Sequence, residues 1–227
     1  MIDLHSHILP GIDDGSRSIE MTCGMLSALR QQGVETVVAT PHFYAHQDAP
    51  DAFLTRRAEA FAQVEGENIP NILLGAEVAY FDGISRCQEM TDLCLGNSRL
   101  LLVEMPWNNW THRMVEEICD MRANLGVTPV LAHVDRYRSQ MDRYAPQLLD
   151  NQVLFQCNAD AFLPWFRRKW AMGLFAAEQV HFLGSDAHNL TTRPPQMGQA
   201  VQILTKKFGA HRLQEMTSFA RMMLNET

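Results

Sequence analysis

The chain has 227 residues, of which 46% are hydrophobic and 20% charged, and its formal net charge is -7. These values are typical of a globular protein with a sizeable core, and the length allows one large α/β domain or two small ones. The negative charge argues against a nucleic-acid backbone as the main partner, because such binding depends on clustered Lys and Arg.

The cysteines and the apolar segments indicate the compartment. The five cysteines form no C-x-x-C pair and are odd in number, which disfavours a disulfide framework and favours a reducing environment. Asp3 and His5 interrupt the start of the chain, so it does not read as a signal segment, and no apolar run is long enough to span a bilayer. We therefore expect a cytoplasmic protein without direct membrane insertion.

Short apolar runs alternate with stretches of helical periodicity along the whole chain. The predicted strands are Ile2–Ile8, Thr36–Thr40, Asn71–Val78, Arg99–Met105, Thr128–Val134, Val153–Ala159 and Val180–Ala187. The predicted helices are Ser18–Gln32, Ala52–Val64, a short irregular Ile84–Leu95, Thr111–Leu125, Tyr144–Asn151, Trp165–Glu178, Pro194–Phe208 and His211–Leu224. This alternation predicts a parallel sheet with right-handed crossovers, in one domain over residues 1–227.

Histidines and carboxylates follow the ends of most of these strands. The candidates are His5, His7, Asp13, Asp14, His42, Glu77, Glu104, His133, Asp186 and His188. His5 and His7 are two residues apart on the first strand, so they share a face. The carboxyl ends of strands converge at one mouth in a closed barrel, whereas an open sheet spreads them along an edge. The placement therefore favours a barrel of about seven βα units.

The conjunction of these residues indicates a metal site. A single histidine at a strand end is more often a hydrogen-bonded residue than a ligand, and Asp-Gly is a common turn. A set of imidazoles and carboxylates without cysteine suits Mn²⁺, Fe²⁺ or Zn²⁺. The set is too large for one ion, so we predict two or three, with Glu77 as a bridge. Paired ions generate a hydroxide nucleophile and stabilise a phosphoryl transition state.

Other side chains near these strand ends suggest how a substrate is bound. Arg136 and Arg193 follow two of the candidates, and a guanidinium group binds phosphate oxygens in pairs. Trp107 and Trp110 follow Glu104 and could equally line a rim for an aromatic substrate or cap the barrel. The remaining histidines lie away from strand exits, and we expect surface or hydrogen-bonding roles for them; they are His46, His112, His181 and His211.

Taken together, these motifs resemble the polymerase-and-histidinol-phosphatase (PHP) superfamily of metal phosphoesterases. The motifs are His5-Ser-His7, Thr40-Pro-His42, Gly75-Ala-Glu77, Ala132-His133 and Ser185-Asp186-Ala-His188. Within it, HSHILPGIDDG, AHVDRY and SDAHN followed by RPP are similar to the bacterial protein-tyrosine phosphatases of capsule and exopolysaccharide loci. The resemblance runs over essentially the whole chain in the right order. It implies a distorted (β/α)₇ TIM-like barrel and a trinuclear, usually manganese-dependent, centre.

The resemblance also implies a role for each candidate. One ion would be held by His5, His7, Glu77 and Asp186, a second by Glu77, Glu104 and His133, and a third by Asp14, His42 and His188. The resemblance thus selects Asp14 rather than Asp13 as the ligand. The spacing of the residues alone leaves that choice open. Arg136 and Arg193 would bind phosphate. Other superfamily members have histidine in place of Glu104 and Asp14, which supports the subfamily assignment.

The implied reaction is hydrolysis of phosphotyrosine on a partner protein by a metal-bound hydroxide, without a phosphoenzyme. The partner would be the tyrosine-rich tail of a bacterial tyrosine kinase that controls polysaccharide export. No C-x₅-R loop surrounds any cysteine, which disfavours a cysteine-nucleophile phosphatase.

Three alternatives remain open at this point. The first is a PHP phosphatase or phosphodiesterase that acts on a small metabolite such as histidinol phosphate. The second is a metal-dependent amidohydrolase, which is disfavoured because its usual bridging lysine has no counterpart at a strand end. The third is a non-catalytic metal-binding protein.

Overall fold

The computed structural model describes residues 1–64, 69–107, 109–163 and 165–225. Its strands are β1 (Ile2–Ser6), β2 (Thr36–Ala39), β3 (His42–Phe43), β4 (Asn71–Leu74), β5 (Glu77–Ala79), β6 (Leu100–Glu104), β7 (Thr128–Leu131), β8 (Leu154–Asn158) and β9 (Phe182–Gly184). Its α-helices are α1 (Ile19–Gln31), α2 (Pro50–Ala62), α3 (His112–Leu125), α4 (Arg138–Asp150), α5 (Trp165–Ala176), α6 (Met197–Phe208) and α7 (Ala210–Met223).

The strands form a curled parallel sheet in two hydrogen-bonded parts. The strand order is β1-β2-β4 in one part and β3-β5-β6-β7-β8-β9 in the other, and every pairing is parallel. The register of Ala39 with Leu74 continues as that of His42 with Glu77, so the two parts follow one another along the same segments. This arrangement confirms the predicted parallel α/β fold.

Hydrogen bonds also join the end of β1 to the segment after β9. The amide of Asp186 donates to the carbonyl of His5 at 2.8 Å, and the amide of His7 donates to the carbonyl of Ala187 at 2.9 Å. Ser6 and Ala187 form an isolated parallel bridge. The first and last strands of the chain are thereby brought together, which accounts for the curl of the sheet.

The two faces of the sheet are both buried, as is usual for parallel strands covered by helices. One face packs against the helices through residues such as Val37, Leu101 and Phe155. The opposite face carries a separate cluster that includes Leu102 and Val130. Strand alternation, with a period of two, assigns neighbouring residues to opposite faces.

The strand register shows that the face of the sheet with Leu102 and Val130 also holds predicted ligands. Glu77 pairs with Leu102, Leu102 with Val130, and Val130 with Leu154, so these side chains lie in one row. Glu104 is two residues beyond Leu102 and therefore projects from the same face. The apolar row thus gives way to carboxylates at the carboxyl ends of the strands.

The predicted and observed elements differ most at three places; elsewhere their bounds shift, and β9 covers only Phe182–Gly184 of the predicted Val180–Ala187. The predicted strand Asn71–Val78 is two strands, because Gly75 and Ala76 interrupt it where the chain passes between the two parts of the sheet. The predicted helix Ile84–Leu95 is two short 3₁₀ helices, Ile84–Arg86 and Gln88–Leu93.

The third difference is helix α4, which begins at Arg138 rather than at Tyr144. The polar residues of its first turn concealed the start. Met141 already belongs to its buried stripe, with Tyr144, Ala145 and Leu148 at helical spacing.

Helix ends follow the expected local chemistry. The side chain of Ser18 caps α1 by accepting from the amide of Met21, and Gly126 ends α3 with a φ of 65°. Within the described part of the chain, no helix has the length and apolar character needed to cross a membrane.

Candidate metal centre

A buried carboxylate, Glu77, lies at the centre of the predicted ligands. Its Oε2 atom is 3.1 Å from His5 Nε2, 3.2 Å from His7 Nε2 and 3.1 Å from His42 Nδ1. Its Oε1 atom is 2.9 Å from His133 Nε2. Four imidazoles from three different strand ends therefore surround one side chain that is 1% exposed.

The remaining carboxylates surround this core. Asp186 Oδ1 lies 3.7 Å from His5 Nε2 and 3.6 Å from both His7 Nε2 and His188 Nδ1. Glu104 Oε1 lies 3.4 Å from His133 Nε2. The strand ends thus bring these predicted ligands into one continuous cluster.

Asp14 lies on the solvent side of the same cluster. Its Oδ1 atom is 3.4 Å from both His42 Nε2 and His188 Nε2. The Asp14 side chain is 67% exposed, in contrast to the buried Glu77. The turn after β1 therefore reaches back over the ends of β3 and β9.

Three groups of donor atoms converge closely enough to hold an ion each. The groups are His7 with Asp14, His42 and His188; His5 with His7 and Glu77; and His42 with Glu77 and Glu104; within each group the donor atoms lie within 4.8 Å of one another. His7 and His42 each occur in two groups, whereas the resemblance assigned each of them to one ion. The geometry therefore suits adjacent ions that share ligands.

Several buried polar atoms in the cluster have no hydrogen-bond partner, and these atoms test whether the cluster suits a cation. They include Glu77 Oε2, His42 Nδ1 and His188 Nε2. Buried polar groups are nearly always paired, and an unpaired one is costly. Imidazole nitrogens and carboxylate oxygens that converge without hydrogen bonds fit a divalent metal ion, and the donor types are those that Mn²⁺, Fe²⁺ and Zn²⁺ accept.

Burial and mutual contact control the charges of the cluster. Burial would raise the pKa of Glu77, but the neighbouring His5 and hydrogen bonds from His133 hold it well below its usual range. Burial would lower the pKa of His7, but its hydrogen bond to Asp13 and its contact with the Glu77 carboxylate raise it to about 10. Contacts between opposite charges therefore outweigh desolvation, and Glu77 is ionised at neutral pH.

The pKa values of two other histidines are lowered rather than raised. Burial, together with the charge of His7, lowers the pKa of His188 to about 4. Burial is also the largest cause that lowers the pKa of His42. The ring centroids of His7 and His188 are only 3.9 Å apart, so the two rings resist simultaneous protonation. His188 and His42 are consequently neutral at pH 7, which is the form of imidazole that binds a metal, whereas His7 must release a proton to bind one.

Two residues outside the ligand set implied by the resemblance orient the histidines. Asp13 Oδ2 accepts from His7 Nδ1 at 2.7 Å and from the amide of His42 at 3.0 Å. Gln156 Oε1 accepts from the amide of His133 at 2.6 Å and lies 3.2 Å from His5 Nδ1. Partners of this kind fix the ring orientation and the tautomer of a ligating histidine. In the sequence, Gln156 is distinguished only as a polar residue within an apolar strand, which does not indicate its partners.

The backbone is unusual at two of the predicted ligands. His133 has a φ of 32° and Asp186 a φ of 50°, and each follows the end of a strand. This left-handed region is unfavourable for residues with a Cβ atom, and such conformations concentrate at functional sites. The backbone is thus locally strained at the two positions whose side chains point into the cluster.

The two predicted phosphate-binding arginines meet at Asp186. Arg193 Nη2 donates to Asp186 Oδ1 at 2.7 Å, and Arg136 Nη2 donates to Asp186 Oδ2. A cavity of about 150 Å³ beside them is lined by polar residues that include Asn158 and Ser185. Both guanidinium groups therefore lie at the edge of the cluster, next to space for a ligand.

The two tryptophans after β6 have different environments. Trp110 is 5% exposed and its Nε1 donates to the carbonyl of Pro106 at 2.7 Å, so it belongs to the core. Trp107 is 59% exposed. The Arg136 guanidinium lies over its ring, 5.5 Å from the centroid. One tryptophan thus covers the sheet and the other borders the cluster.

The other histidines have the ordinary roles predicted for them. His181 Nδ1 accepts from the amide of Phe155 at 3.0 Å, and His112 Nε2 lies 3.1 Å from Arg143. His46 contacts Gln47 on the surface, and the side chain of His211 is 82% exposed. None of these four is among the donor groups found in the described residues.

The fold and the cluster define a class, namely α/β proteins that gather histidines and carboxylates at the carboxyl ends of a curled parallel sheet. Within that class, the chain belongs to the CpsB/CapC family of capsular polysaccharide synthesis, whose family model matches residues 1–224. The resemblance to the bacterial capsule phosphatases is thereby confirmed.

Individual relatives agree over the full length. The tyrosine-protein phosphatase CpsB of Streptococcus pneumoniae is 30% identical over an alignment of 230 positions that covers 95% of this chain and 94% of that protein. The structure also resembles one of the crystal structures of YwqE from Bacillus subtilis and CpsB from Streptococcus pneumoniae, described as unique metal-dependent tyrosine phosphatases. The TM-score is 0.87 at 26% identity, and the match covers 100% of this chain and 95% of the other.

A more distant likeness concerns the fold alone. A D-hydantoinase from Thermus sp. matches with a TM-score of 0.54 at 13% identity, over 92% of this chain and 66% of that protein. The likeness supports the curled parallel α/β architecture and carries no argument about the reaction.

Proposed function

We propose that this chain is a metal-dependent protein-tyrosine phosphatase that hydrolyses phosphotyrosine on a partner protein. The observation that carries the proposal is the ring of imidazoles around the buried Glu77, with two arginines beside it. The chain matches proteins named tyrosine-protein phosphatases over nearly their whole length. The partner would be a bacterial tyrosine kinase of capsule or exopolysaccharide synthesis, and the site of action the cytoplasm.

The cluster would hold two or three divalent ions, with Mn²⁺ as the first choice and Fe or Zn as alternatives. The ligands would be His5, His7, Asp14, His42, Glu77, Glu104, His133, Asp186 and His188. When bound, such ions supply a nucleophile at neutral pH and neutralise negative charge on the phosphoryl group. The unpaired donor atoms of Glu77, His42 and His188 support this proposal.

The side chains around the ions would bind and orient the substrate. Arg136 and Arg193 would turn from Asp186 to the phosphate oxygens, since guanidinium binds phosphate and carboxylate in the same geometry. Glu77 stays ionised, and its two oxygen atoms would contribute to holding the ions. Asp13 and Gln156 keep His7, His5 and His133 in fixed orientations.

We further propose that the sheet is a distorted (β/α)₇ barrel of the PHP type, forming a single domain over residues 1–227. Each of the segments β2–β3 and β4–β5 then counts as one interrupted strand. The unbroken register across these interruptions and the Ser6–Ala187 bridge support the proposal.

A side-by-side assay tests the proposed substrate. The purified protein with Mn²⁺ is offered a tyrosine-phosphorylated kinase-tail peptide, histidinol phosphate and a nucleotide phosphodiester at equal concentrations. We expect the largest kcat/KM for the phosphopeptide, and no hydrolysis of it by the Asp186→Ala variant. A clear preference for histidinol phosphate or for the diester would replace the proposed function with that of a metabolite phosphatase or a phosphodiesterase.

A further inference from the structure

An exposed indole borders the metal centre. Among the large exposed hydrophobic residues of the described chain, Trp107 is the aromatic one; the others are Ile19, Leu190 and Met222. A single exposed apolar residue needs no functional explanation by itself. The contacts of Trp107 with the site, however, are specific.

Two of these contacts lead to predicted site residues. The guanidinium carbon of Arg136 lies 5.5 Å from the centroid of the indole, and Arg136 in turn binds Asp186. The ring of Tyr137 contacts Trp107 edge-on at 6.3 Å and lies 5.5 Å from the His133 ring. Trp107 therefore contacts Arg136, which is predicted to bind phosphate, and through Tyr137 it is connected to the predicted metal ligand His133.

The segment that carries Trp107 is also held in place. Tyr137 is fully buried and its hydroxyl donates to the carbonyl of Met105 at 2.7 Å, which fixes the chain just before Trp107. Gln140 Nε2 donates to the carbonyl of Trp107 at 3.3 Å. The indole is thus exposed on an anchored segment, so a ligand that packs against it has little backbone to order.

We infer that Trp107 recognises the aromatic ring of the substrate and makes the site selective for aryl phosphates; the inference rests on the proposed phosphatase function. In an aryl phosphate, a single oxygen atom separates the phosphorus from the ring. A phosphate bound by Arg136 therefore brings the ring next to the indole that already contacts this guanidinium. Aromatic pairs are favourable in offset-stacked and edge-on arrangements alike, and alkyl phosphates lack this contact.

Neighbouring aromatic residues fit this role less well. Trp110 is 5% exposed, and its ring packs between Tyr137 and Tyr144. Tyr44 stacks on His42 with ring centroids 5.5 Å apart, so that ligand histidine occupies one of its faces. Only Trp107, among these three, combines a largely free ring with a contact to a predicted phosphate-binding arginine.

Kinetics of Trp107 variants test the inference. In the Mn²⁺-loaded protein, Trp107→Leu should raise KM for a phosphotyrosine peptide roughly fivefold and change kcat little. KM for the same peptide with phosphoserine should not change. Trp107→Phe should restore most of the affinity for phosphotyrosine, because a phenyl ring keeps the aromatic contact. Met222→Ala, at an exposed position of α7, is the matched control and should behave as wild type in both assays. An unchanged KM for phosphotyrosine, or an equal rise for both peptides, would overturn the inference.

A binding measurement separates this inference from the proposed function. Calorimetric titration with phenylphosphonate and with methylphosphonate involves no turnover. Wild type should bind phenylphosphonate more tightly, and Trp107→Leu should lose that preference while it retains affinity for methylphosphonate. A preference that survives in Trp107→Leu, or that wild type lacks, would contradict the role of Trp107 whichever substrate is hydrolysed. Failure of the phosphopeptide assay alone would instead contradict the proposed function.

Discussion

Asp13 Oδ2 accepts a hydrogen bond from His7 Nδ1 at 2.7 Å, while the next residue, Asp14, faces His42 and His188 at 3.4 Å. The side chain of Asp13 is 6% exposed and that of Asp14 is 67% exposed. Two adjacent carboxylates in one turn thus have separate environments. Asp13 orients the ring of His7 through its Nδ1 atom, and Asp14 approaches the cluster from the solvent side.

This difference predicts distinct effects of neutralising each carboxylate. Asp13→Asn should weaken metal affinity by roughly 10- to 100-fold without removing a ligand, because the amide holds the His7 ring less firmly. Asp14→Asn should lower the number of ions bound per chain. Metal content after dialysis and competition titration with a chelating dye measure both effects. Asp120→Asn, on the exposed side of α3, is the control. Wild-type metal affinity in Asp13→Asn would contradict the orienting role.

Gln156 should be as important as a ligand although it binds no ion. Gln156→Leu leaves the amide of His133 without its acceptor and removes the partner of His5 Nδ1. We expect a loss of about 1–3 kcal/mol in the free energy of unfolding, which is typical of an unsatisfied buried donor. Urea denaturation measures the loss, and Gln202→Leu at an exposed position of α6 serves as the control. A Gln156→Leu protein with wild-type stability would show that the hydrogen bond is dispensable.

Gly184 lies where the site leaves no room for a side chain. A Cβ atom there would be 2.6 Å from both Gln156 Nε2 and His5 Cβ, whereas a Cβ atom at Gly173 on α5 would meet nothing within 4 Å. Gly184→Ala should therefore displace His5 and lower metal affinity by roughly tenfold or more. Gly173→Ala should leave metal affinity unchanged and stabilise the fold by about 0.5–1 kcal/mol. Equal metal affinities in the two variants would contradict the close packing at Gly184.

The positions of the ligands could be predicted from the sequence because they follow from strand geometry. Glu77 and Glu104 end apolar runs, and the period of two places them on one face of a parallel sheet. The orienting residues could not be predicted in this way. The roles of Asp13 and Asp14 depend on the path of a turn, and Gln156 has its partners on other strands.

The limits of secondary-structure prediction have equally local causes. The interruption at Gly75 depends on packing, because a Cβ atom there would lie 2.5 Å from a side-chain atom of Leu95. The early start of α4 depends on tertiary burial of Met141 within an otherwise polar turn. Neither signal is present in the periodicity of the segment itself.

The lowered pKa of His181 leads us to expect that the stability of the fold changes with pH independently of the metal centre. Burial, together with the nearby Arg212, lowers its pKa from 6.5 to about 4 in the folded protein. Its Nδ1 atom accepts from the amide of Phe155, so protonation would break that hydrogen bond. Because the unfolded chain binds the proton more readily, this contribution to stability is complete above pH 6.5 and is lost as the pH falls toward 4.

Urea denaturation of the chelator-treated protein at pH 7 and pH 5 measures this contribution. The free energy of unfolding of wild type should fall by about 2 kcal/mol more than that of His181→Gln between the two pH values. His211→Gln, with an exposed side chain, is the matched control and should retain the wild-type difference. The same fall in His181→Gln as in wild type would rule out His181 as the source.

The most direct test of the central claim is the release of phosphate from a phosphotyrosine peptide before and after removal of divalent metal. We expect the chelator-stripped protein to lose at least about 100-fold in rate, to keep its far-ultraviolet circular dichroism, and to recover on titration with Mn²⁺. His133→Ala and Asp186→Ala should not recover. Undiminished hydrolysis by the stripped protein would contradict the assignment of the Glu77 cluster as a catalytic metal centre.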